Sequence, residues 1–403
     1  MFLTILNISR TQYKCRELNI NHHKIETEII IRYLKNVFIE KNYFFIDFVS
    51  LMKEKLTRRE ITRQKNKLFS RLAVAAKQAK DKGGKPFIFH FLTTLRCNCD
   101  CETCLWKDNS SKDELSLNEI KRIYLEAREA GFFVSLLWGG EPTLRRDIAN
   151  IIKFAKHDAD FGFIGIVTNG YLIPQKISEF GADLDLILIS LDSPIQQEHD
   201  KIRVLPGLYS KIMESVDLIK INYPHISLQF SFSISKYNIH RVDEMIALGD
   251  RLEVPIAFNV INTIRHYSTK DIDEKGQLSA NSHEISDAFS RILEAKKSGS
   301  HVLNSEMYLK HFIGGKKPYR CHARKVFMFV NSNGEIEDCL RLDSPIANLR
   351  QVSVKDAMNL PRFQQFLEET ENCDSCNSPT MIDTSYVWED WSLLTKSSGI
   401  SFG

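Results

Sequence analysis

Phe87-Ile88-Phe89-His90-Phe91-Leu92-Thr93-Thr94-Leu95 runs directly into Arg96-Cys97-Asn98-Cys99-Asp100-Cys101-Glu102-Thr103-Cys104. The first nine residues are dense in Phe, Ile and Leu, the composition of a strand buried on both faces. The same kind of run recurs at Phe133–Trp138, Phe163–Thr168, Leu186–Leu191, Ile226–Ser233 and Ile256–Val260. Helical patterns separate these runs. Ile120, Ile123, Tyr124 and Ala127 form one apolar face after Ser116, a fitting N-cap, and Gly131 stops that helix. Asp147–His157, Gln175–Phe180, Tyr209–Ile221 and Arg241–Leu252 are the others. Right-handed crossovers force such strand-then-helix units into a parallel sheet. Six units are too few for an eight-stranded barrel, so the expectation is an α/β fold built on a partial (β/α)6 barrel of TIM type. The chemistry of such a sheet sits at the C-terminal ends of its strands, where the cysteine-rich loop leaves the first one.

The 403 residues have room for more than this sheet, at roughly one domain per ~150 residues. The spacing predicts a helical N-terminal extension over 1–84, a barrel over 85–262, a connecting helical segment over 263–318 and a small C-terminal domain over 319–403. A helix is expected at Ser282–Lys297. A hairpin is expected from Lys325–Val330 through Asn331-Ser332-Asn333-Gly334 to Glu335–Leu340. With 43% hydrophobic residues the chain can bury a large core. The 54 Lys+Arg nearly balance 51 Asp+Glu, which gives no strong nucleic-acid signal.

Met1 to Ile8 is apolar but lacks the basic region and cleavage site of a signal peptide. Ile29 to Leu51 carries Arg32, Lys35, Glu40, Lys41 and Asp47, charges that a membrane span excludes. The expectation is therefore a cytoplasmic protein without a transmembrane segment, in which clustered cysteines bind metal rather than form disulfides. Between Lys53 and Lys85 the chain is basic, with Leu68, Leu72, Ala75 and Ala76 on one helix face. Two readings stand for this helix. It packs with its basic face in water, or it offers a surface to an acidic leader or a lipid headgroup.

Cys97, Cys101 and Cys104 have the spacing C-x3-C-x2-C. Three thiolates on one loop can hold three corners of a four-iron cluster and leave one iron open to a chelating ligand. Cys97, Cys99, Cys101 and Cys104 could instead bind one zinc, although the C-x-C-x-C crowding is awkward for a tetrahedron. After the second strand stands Gly139-Gly140-Glu141-Pro142-Thr143, where two glycines permit close backbone approach and Glu141 can accept from an ammonium.

Together, these two motifs after the first two strands resemble the radical S-adenosylmethionine (SAM) superfamily, over about Phe87 to Asn262. The resemblance implies that Cys97, Cys101 and Cys104 ligate a [4Fe-4S] cluster whose open iron chelates SAM. Gly139, Gly140 and Glu141 would contact the methionine amine. Ser190 and Asp192, at the end of the fourth strand, and Arg203 match the positions of ribose contacts. Thr103 stands where an aromatic residue often precedes the third cysteine, so the contact with the adenine is either taken over by Trp106 or Phe91 or absent. Cys99 is read as a non-ligand, with a hydrogen-donor role as the alternative.

Cys321, Cys339, Cys373 and Cys376 make a second set, spaced C-x17-C and C-x2-C, with the hairpin bringing the first pair together. Four thiolates can hold one zinc or fully ligate a second four-iron cluster. The stretch resembles the auxiliary-cluster domain of radical SAM enzymes known as SPASM, in its shorter, single-cluster twitch form. A departure is Cys321-His322-Ala323-Arg324, without the usual glycine. The resemblance implies a second [4Fe-4S] cluster, reductive SAM cleavage, hydrogen abstraction from an unactivated carbon, and an electron donor such as flavodoxin or ferredoxin. The leading expectation is a radical SAM oxidoreductase or epimerase acting on a small oxygenated molecule. The alternatives are a maturase acting on a peptide or protein side chain, and a non-catalytic electron carrier, which would have no need of Gly139-Gly140-Glu141-Pro142. Tyr386, Trp388 and Trp391 read as packing residues or as a cover for the pocket.

Overall fold

The structure, a computed structural model, describes residues 85–105, 113–262, 276–339 and 344–390, together with Val74, Lys77, Gln78, Asp81 and Asp273. The rest of the expected N-terminal extension lies outside the described residues, as do Cys15, Trp106 and Trp391.

Six strands run parallel and pair in chain order: β1 (Ile88–Thr94), β2 (Val134–Gly139), β3 (Phe163–Thr168), β4 (Leu186–Ser190), β5 (Ser227–Ile234) and β6 (Ile256–Val260). Helices α1 (Leu117–Ala130), α2 (Ile148–Lys153), α3 (Ile173–Phe180), α4 (Gln196–Arg203), α5 (Leu208–Asn222) and α6 (Val242–Leu252) make the crossovers. This is the expected partial barrel, with strand ends within a residue or so of their sequence positions. α4 is not among the helices expected from the sequence. Its eight residues carry only Ile202 as an aliphatic side chain, so no apolar stripe marks it.

Local chemistry sets the element ends. Ser116 and Glu119 form a reciprocal capping box at α1, and Gly131, at φ +107°, takes the left-handed turn that ends it. Ile120, Ile123, Tyr124 and Ala127 are buried as the spacing requires.

The two faces of β1 divide the core. Phe89 and Phe91 pack outward against Tyr124 and the helices, whereas Ile88 joins Val134, Leu136, Leu186 and Phe327 on the inner face. Phe91 is therefore 1% exposed on the helix side, which corrects the expectation that it meets the adenine of SAM from within the barrel.

Beyond β6 come α7 (Ser282–Lys297) and α8 (Glu306–Phe312), then β7 (Phe327–Val330), β8 (Glu335–Ile336) and β9 (Ala347–Asn348). The expected hairpin is present between β7 and β8, with Gly334 at φ +89° in its turn. It does not form a sheet of its own. β7 lies parallel to β1 on the side away from β2, so the sheet order is β6-β5-β4-β3-β2-β1-β7-β8-β9. Helices α9 (Val354–Asn359), α10 (Pro361–Thr370) and α11 (Pro379–Glu389) follow. Among the described residues, no helix is long and apolar enough to cross a membrane.

Candidate functional site

Cys97, Cys99, Cys101 and Cys104 all line one cavity of about 400 Å³ at the C-terminal ends of the strands. The base of their loop is braced from several sides. Thr94 Oγ1 donates to Glu114 at 2.5 Å, and Arg96 pairs with the same carboxylate at 3.1 Å. Arg145, 5% exposed, donates to the carbonyls of Thr93 and Leu115 and pairs with Asp147 at 2.7 Å. Farther along, Tyr237 donates to Glu102 at 2.5 Å. Hydrogen bonding from Cys99 lowers the thiol pKa of Cys97 and, against the cost of burial, brings that of Cys101 down to about 6. The same contacts, with burial, push Cys99 up. The loop therefore favours thiolate at Cys101 and thiol at Cys99, and moves Cys97 in the direction of Cys101.

The two glycines meet a steric demand. A Cβ on Gly139 would lie 2.3 Å from the Thr94 carbonyl oxygen, and one on Gly140 2.3 Å from that of Arg96. In the native backbone, Gly140 N–H donates to Thr94 O at 2.8 Å and Glu141 N–H to Arg96 O at 2.7 Å. The end of β2 thus clamps the entry to the cysteine loop, and both glycines line the cavity. Glu141 sits behind them, fully buried. Its carboxylate accepts from Thr143 N–H (3.0 Å), Thr143 Oγ1 (2.5 Å), Thr168 Oγ1 (2.8 Å) and Asn169 N–H (2.7 Å). Burial raises its pKa against these four donors. The carboxylate ties the ends of β2 and β3 together and is not part of the cavity lining.

Ser190 and Arg203 line the cavity, whereas Asp192, 2% exposed, lies behind Arg203. Asp192 pairs with Arg203 Nε at 2.6 Å and accepts from Ser233 N–H at 3.0 Å. The Arg203 carbonyl accepts from Asp100 N–H at 3.3 Å and lies 3.8 Å from Cys101 Sγ. The end of α4 therefore packs on the cysteine loop.

Several cavity residues escape the motif-based reading. Asn169 Nδ2 donates to Asn98 at 2.7 Å and approaches Cys99 Sγ at 3.4 Å. Ser231, Ser233 and Asn259 form a polar group on β5 and β6, with Asn259 Nδ2 donating to Ser233 Oγ at 3.1 Å. The strict alternation Ser-Leu-Gln-Phe-Ser-Phe-Ser-Ile of β5 carries this signal in the sequence. Apart from the loop thiols, Asp100 and Arg203 are the charged lining residues among those described, beside serines, threonines and asparagines.

The second set lies apart. Cys321, Cys339, Cys373 and Cys376 are each under 10% exposed and close enough to influence one another electrostatically. Burial pushes Cys321 up to about 11 and also raises Cys339 and Cys376. Arg324 Nε donates to Cys339 Sγ at 3.3 Å. Among the described residues no three His, Cys, Asp or Glu side chains converge on one point as a single ion requires. A four-iron cluster spreads its thiolates over separate corners. Four buried thiols beside a buried guanidinium fit such a cluster, since thiolate ligation supplies the anion that the cation needs.

Asn377 joins the two regions. It donates from N–H to Asn262 Oδ1 at 3.3 Å and from Nδ2 to Ile261 O at 3.2 Å, while Tyr308 OH donates to its carbonyl at 2.8 Å. The next residues, Ser378 to Met381, line the far side of the cavity. Tyr386 and Trp388 pack instead on His311 and His322 and do not cover the cavity.

Comparison with known proteins agrees with this layout. A match to the radical SAM superfamily covers residues 91–249, and a match to an iron-sulfur cluster-binding domain, SPASM, covers 321–377. The AdoMet-dependent heme synthase of Methanosarcina barkeri is 24% identical over 324 residues, 72% of this chain and 87% of that protein. A GTP 3',8-cyclase of Tolumonas auensis is 30% identical over 184 residues, 40% of this chain; the chain spans only 55% of that relative. Streptococcus suis SuiB bound to S-adenosylmethionine shares the fold, with a TM-score of 0.56 at 14% identity over 81% of each chain. So does anSMEcpe with bound AdoMet and Kp18Cys peptide, with a TM-score of 0.58 at 15% identity over 72% of this chain and 84% of that one. The cofactors of the two matched domains are a SAM-binding [4Fe-4S] cluster with SAM, and an auxiliary [4Fe-4S] cluster. With the first cysteine loop inside one match and all four C-terminal cysteines inside the other, the chain belongs to the radical SAM superfamily and carries a C-terminal SPASM domain.

Proposed function

We propose that this chain oxidises a neutral, oxygen-rich small molecule, with Cys97, Cys101 and Cys104 holding the SAM-binding cluster and Cys321, Cys339, Cys373 and Cys376 the auxiliary one. Bound together, the clusters and SAM supply a 5′-deoxyadenosyl radical for hydrogen abstraction and a one-electron acceptor for the resulting carbon radical. Cys99 stays a thiol, held by Asn169. Gly139 and Gly140 present backbone to the amino group of SAM, and Glu141 fixes that backbone from behind. Ser190 and Arg203 face the ribose, with Asp192 orienting Arg203.

One observation carries this reading. The thiols of the first loop, the neutral polar ends of β4 to β6 and the residues just after Cys376 line the same cavity. Serine and asparagine side chains there match hydroxyl groups of a substrate by hydrogen bonding, and among the described residues no lysine lines the cavity. The cavity, about 400 Å³, is in the size range of a small-molecule site.

A second reading is modification of a peptide side chain. It draws on the peptides bound by SuiB and anSMEcpe, which share this fold. To separate the readings, the reduced, reconstituted protein is given SAM with neutral polyols and aminocyclitols, or with short peptides. A rise in 5′-deoxyadenosine release with the first group supports oxidation of a small molecule, and a rise with peptides alone supports the second reading.

A further inference from the structure

Arg324 is a buried cation faced by Cys339 and, less strongly, by Glu337. It is 6% exposed, and its side-chain hydrogen bond goes to a cysteine sulfur. Its Nε donates to Cys339 Sγ at 3.3 Å, and its Nη1 has no hydrogen-bond partner. Two rings hold the guanidinium flat: Phe329 at 4.2 Å and Phe366 at 5.1 Å from its central carbon. A guanidinium costs a great deal to bury unless an anion faces it, and a neutral thiol is a poor counter-ion. The group that Arg324 touches is the Cys339 sulfur, so negative charge placed there is favoured.

We propose that Arg324 sets the reduction potential of the auxiliary cluster, holding it high through its N–H bond to the Cys339 sulfur. The inference rests on the reading above, in which Cys339 is a cluster ligand. Reduction adds one electron, and so one negative charge, to the cluster. A hydrogen bond to a ligating sulfur and a fixed positive charge both stabilise the reduced form more than the oxidised form. The aromatic stacking matters because a mobile cation would be screened by water, whereas this one is fixed in a dry site. In turnover the electron would come from the substrate carbon radical, which is oxidised as the cluster is reduced. In the assay it comes from dithionite.

The test uses the reconstituted full chain. Iron content of the unsubstituted protein comes first: if it holds no auxiliary cluster, the underlying reading has failed, whatever Arg324 does. With both clusters present, Arg324→Met, Arg324→Gln and Arg324→Lys are titrated potentiometrically and followed by electron paramagnetic resonance. A background with Cys97, Cys101 and Cys104 replaced by Ala isolates the auxiliary signal. Arg324→Met is expected to lower the auxiliary midpoint by at least tenfold in reduction constant, about 59 mV for a one-electron couple, at unchanged iron content. Arg324→Lys recovers part of the shift. An unchanged midpoint in Arg324→Met overturns the proposal. If Arg324→Met does not hold the cluster, Arg324→Gln carries the same test, and loss of iron from both overturns the proposal in favour of a structural role.

Discussion

His90 in β1 and Phe329 in β7 are register partners, and their ring centroids lie 4.5 Å apart. His90 also packs on Trp138 at 4.8 Å and lines the cavity, while Arg324 of the second cysteine region covers the Phe329 ring. A single parallel strand pairing thus brings the cavity wall within two side chains of the second thiol group. Burial, helped by the Arg324 charge, takes the His90 pKa down to about 3, so the ring is neutral where it faces the cavity.

The first cysteine loop makes a sharp prediction. Cys97→Ala, Cys101→Ala and Cys104→Ala should each abolish release of 5′-deoxyadenosine from SAM under dithionite. Cys99→Ala should retain it, because its thiol serves the neighbouring sulfurs only while they are unligated. Chromatography of the products checks this, and loss of the first cluster in Cys99→Ala would show the ligand assignment to be wrong.

Gly140→Ala should damage the same site through its backbone. The new Cβ would meet the backbone oxygen of Arg96 at 2.3 Å, and that backbone is pinned by the Glu114 and Arg145 network. Overpacking of this kind costs about 1–3 kcal/mol. Iron should fall at the first site and stay at the second, as read by iron analysis beside circular dichroism. Full iron occupancy at both sites would contradict the clamp.

Asp383 supplies a pH dependence. On α11 it is 1% exposed, bonded to Ser305, and burial pushes its pKa up to about 7. The unfolded chain releases this proton near the ordinary carboxyl pKa of about 3.9, so between there and about pH 7 the unfolded state binds fewer protons. Stability from this group is therefore present at low pH and lost as pH rises through that window. Relative to the unsubstituted protein, Asp383→Asn should gain about 2 kcal/mol between about pH 5.5 and pH 8. Thermal melts across that range check the sign, and parallel curves would refute it.

Much of the barrel is legible in the sequence because its strands are local. Phe163–Thr168 and Ile256–Val260 announce themselves as apolar runs, and Ser116 and Gly131 mark the ends of α1. What stays hidden is non-local. Nothing near Phe327 says that it will lie beside Ile88, more than two hundred residues earlier in the chain. The motif at Glu141 suggests an amine contact, but its donors arrive from Thr168 and Asn169 at the end of another strand. The polar face of β5 was open to view in its alternation, and the cysteine motifs drew the reading away from it.

Cys376→Ala should separate radical formation from product formation. Asn377 anchors that stretch to Ile261 and Asn262 independently of the thiol, so the cavity wall at Ser378 to Met381 should persist. SAM cleavage is expected to continue while substrate oxidation stops. Circular dichroism and first-site iron distinguish this from collapse of a module that has lost its metal. A folded variant lacking only the auxiliary cluster, with normal product yield, would refute an electron-accepting role.

Iron and sulfide analysis of the anaerobically reconstituted chain, with Mössbauer spectra, tests the two-cluster account most directly. The unsubstituted chain should hold about eight irons, and replacing Cys97, Cys101 and Cys104 together, or the four C-terminal cysteines together, should leave about four in each case. About four irons in the unsubstituted chain, with zinc bound by the C-terminal cysteines, would contradict it.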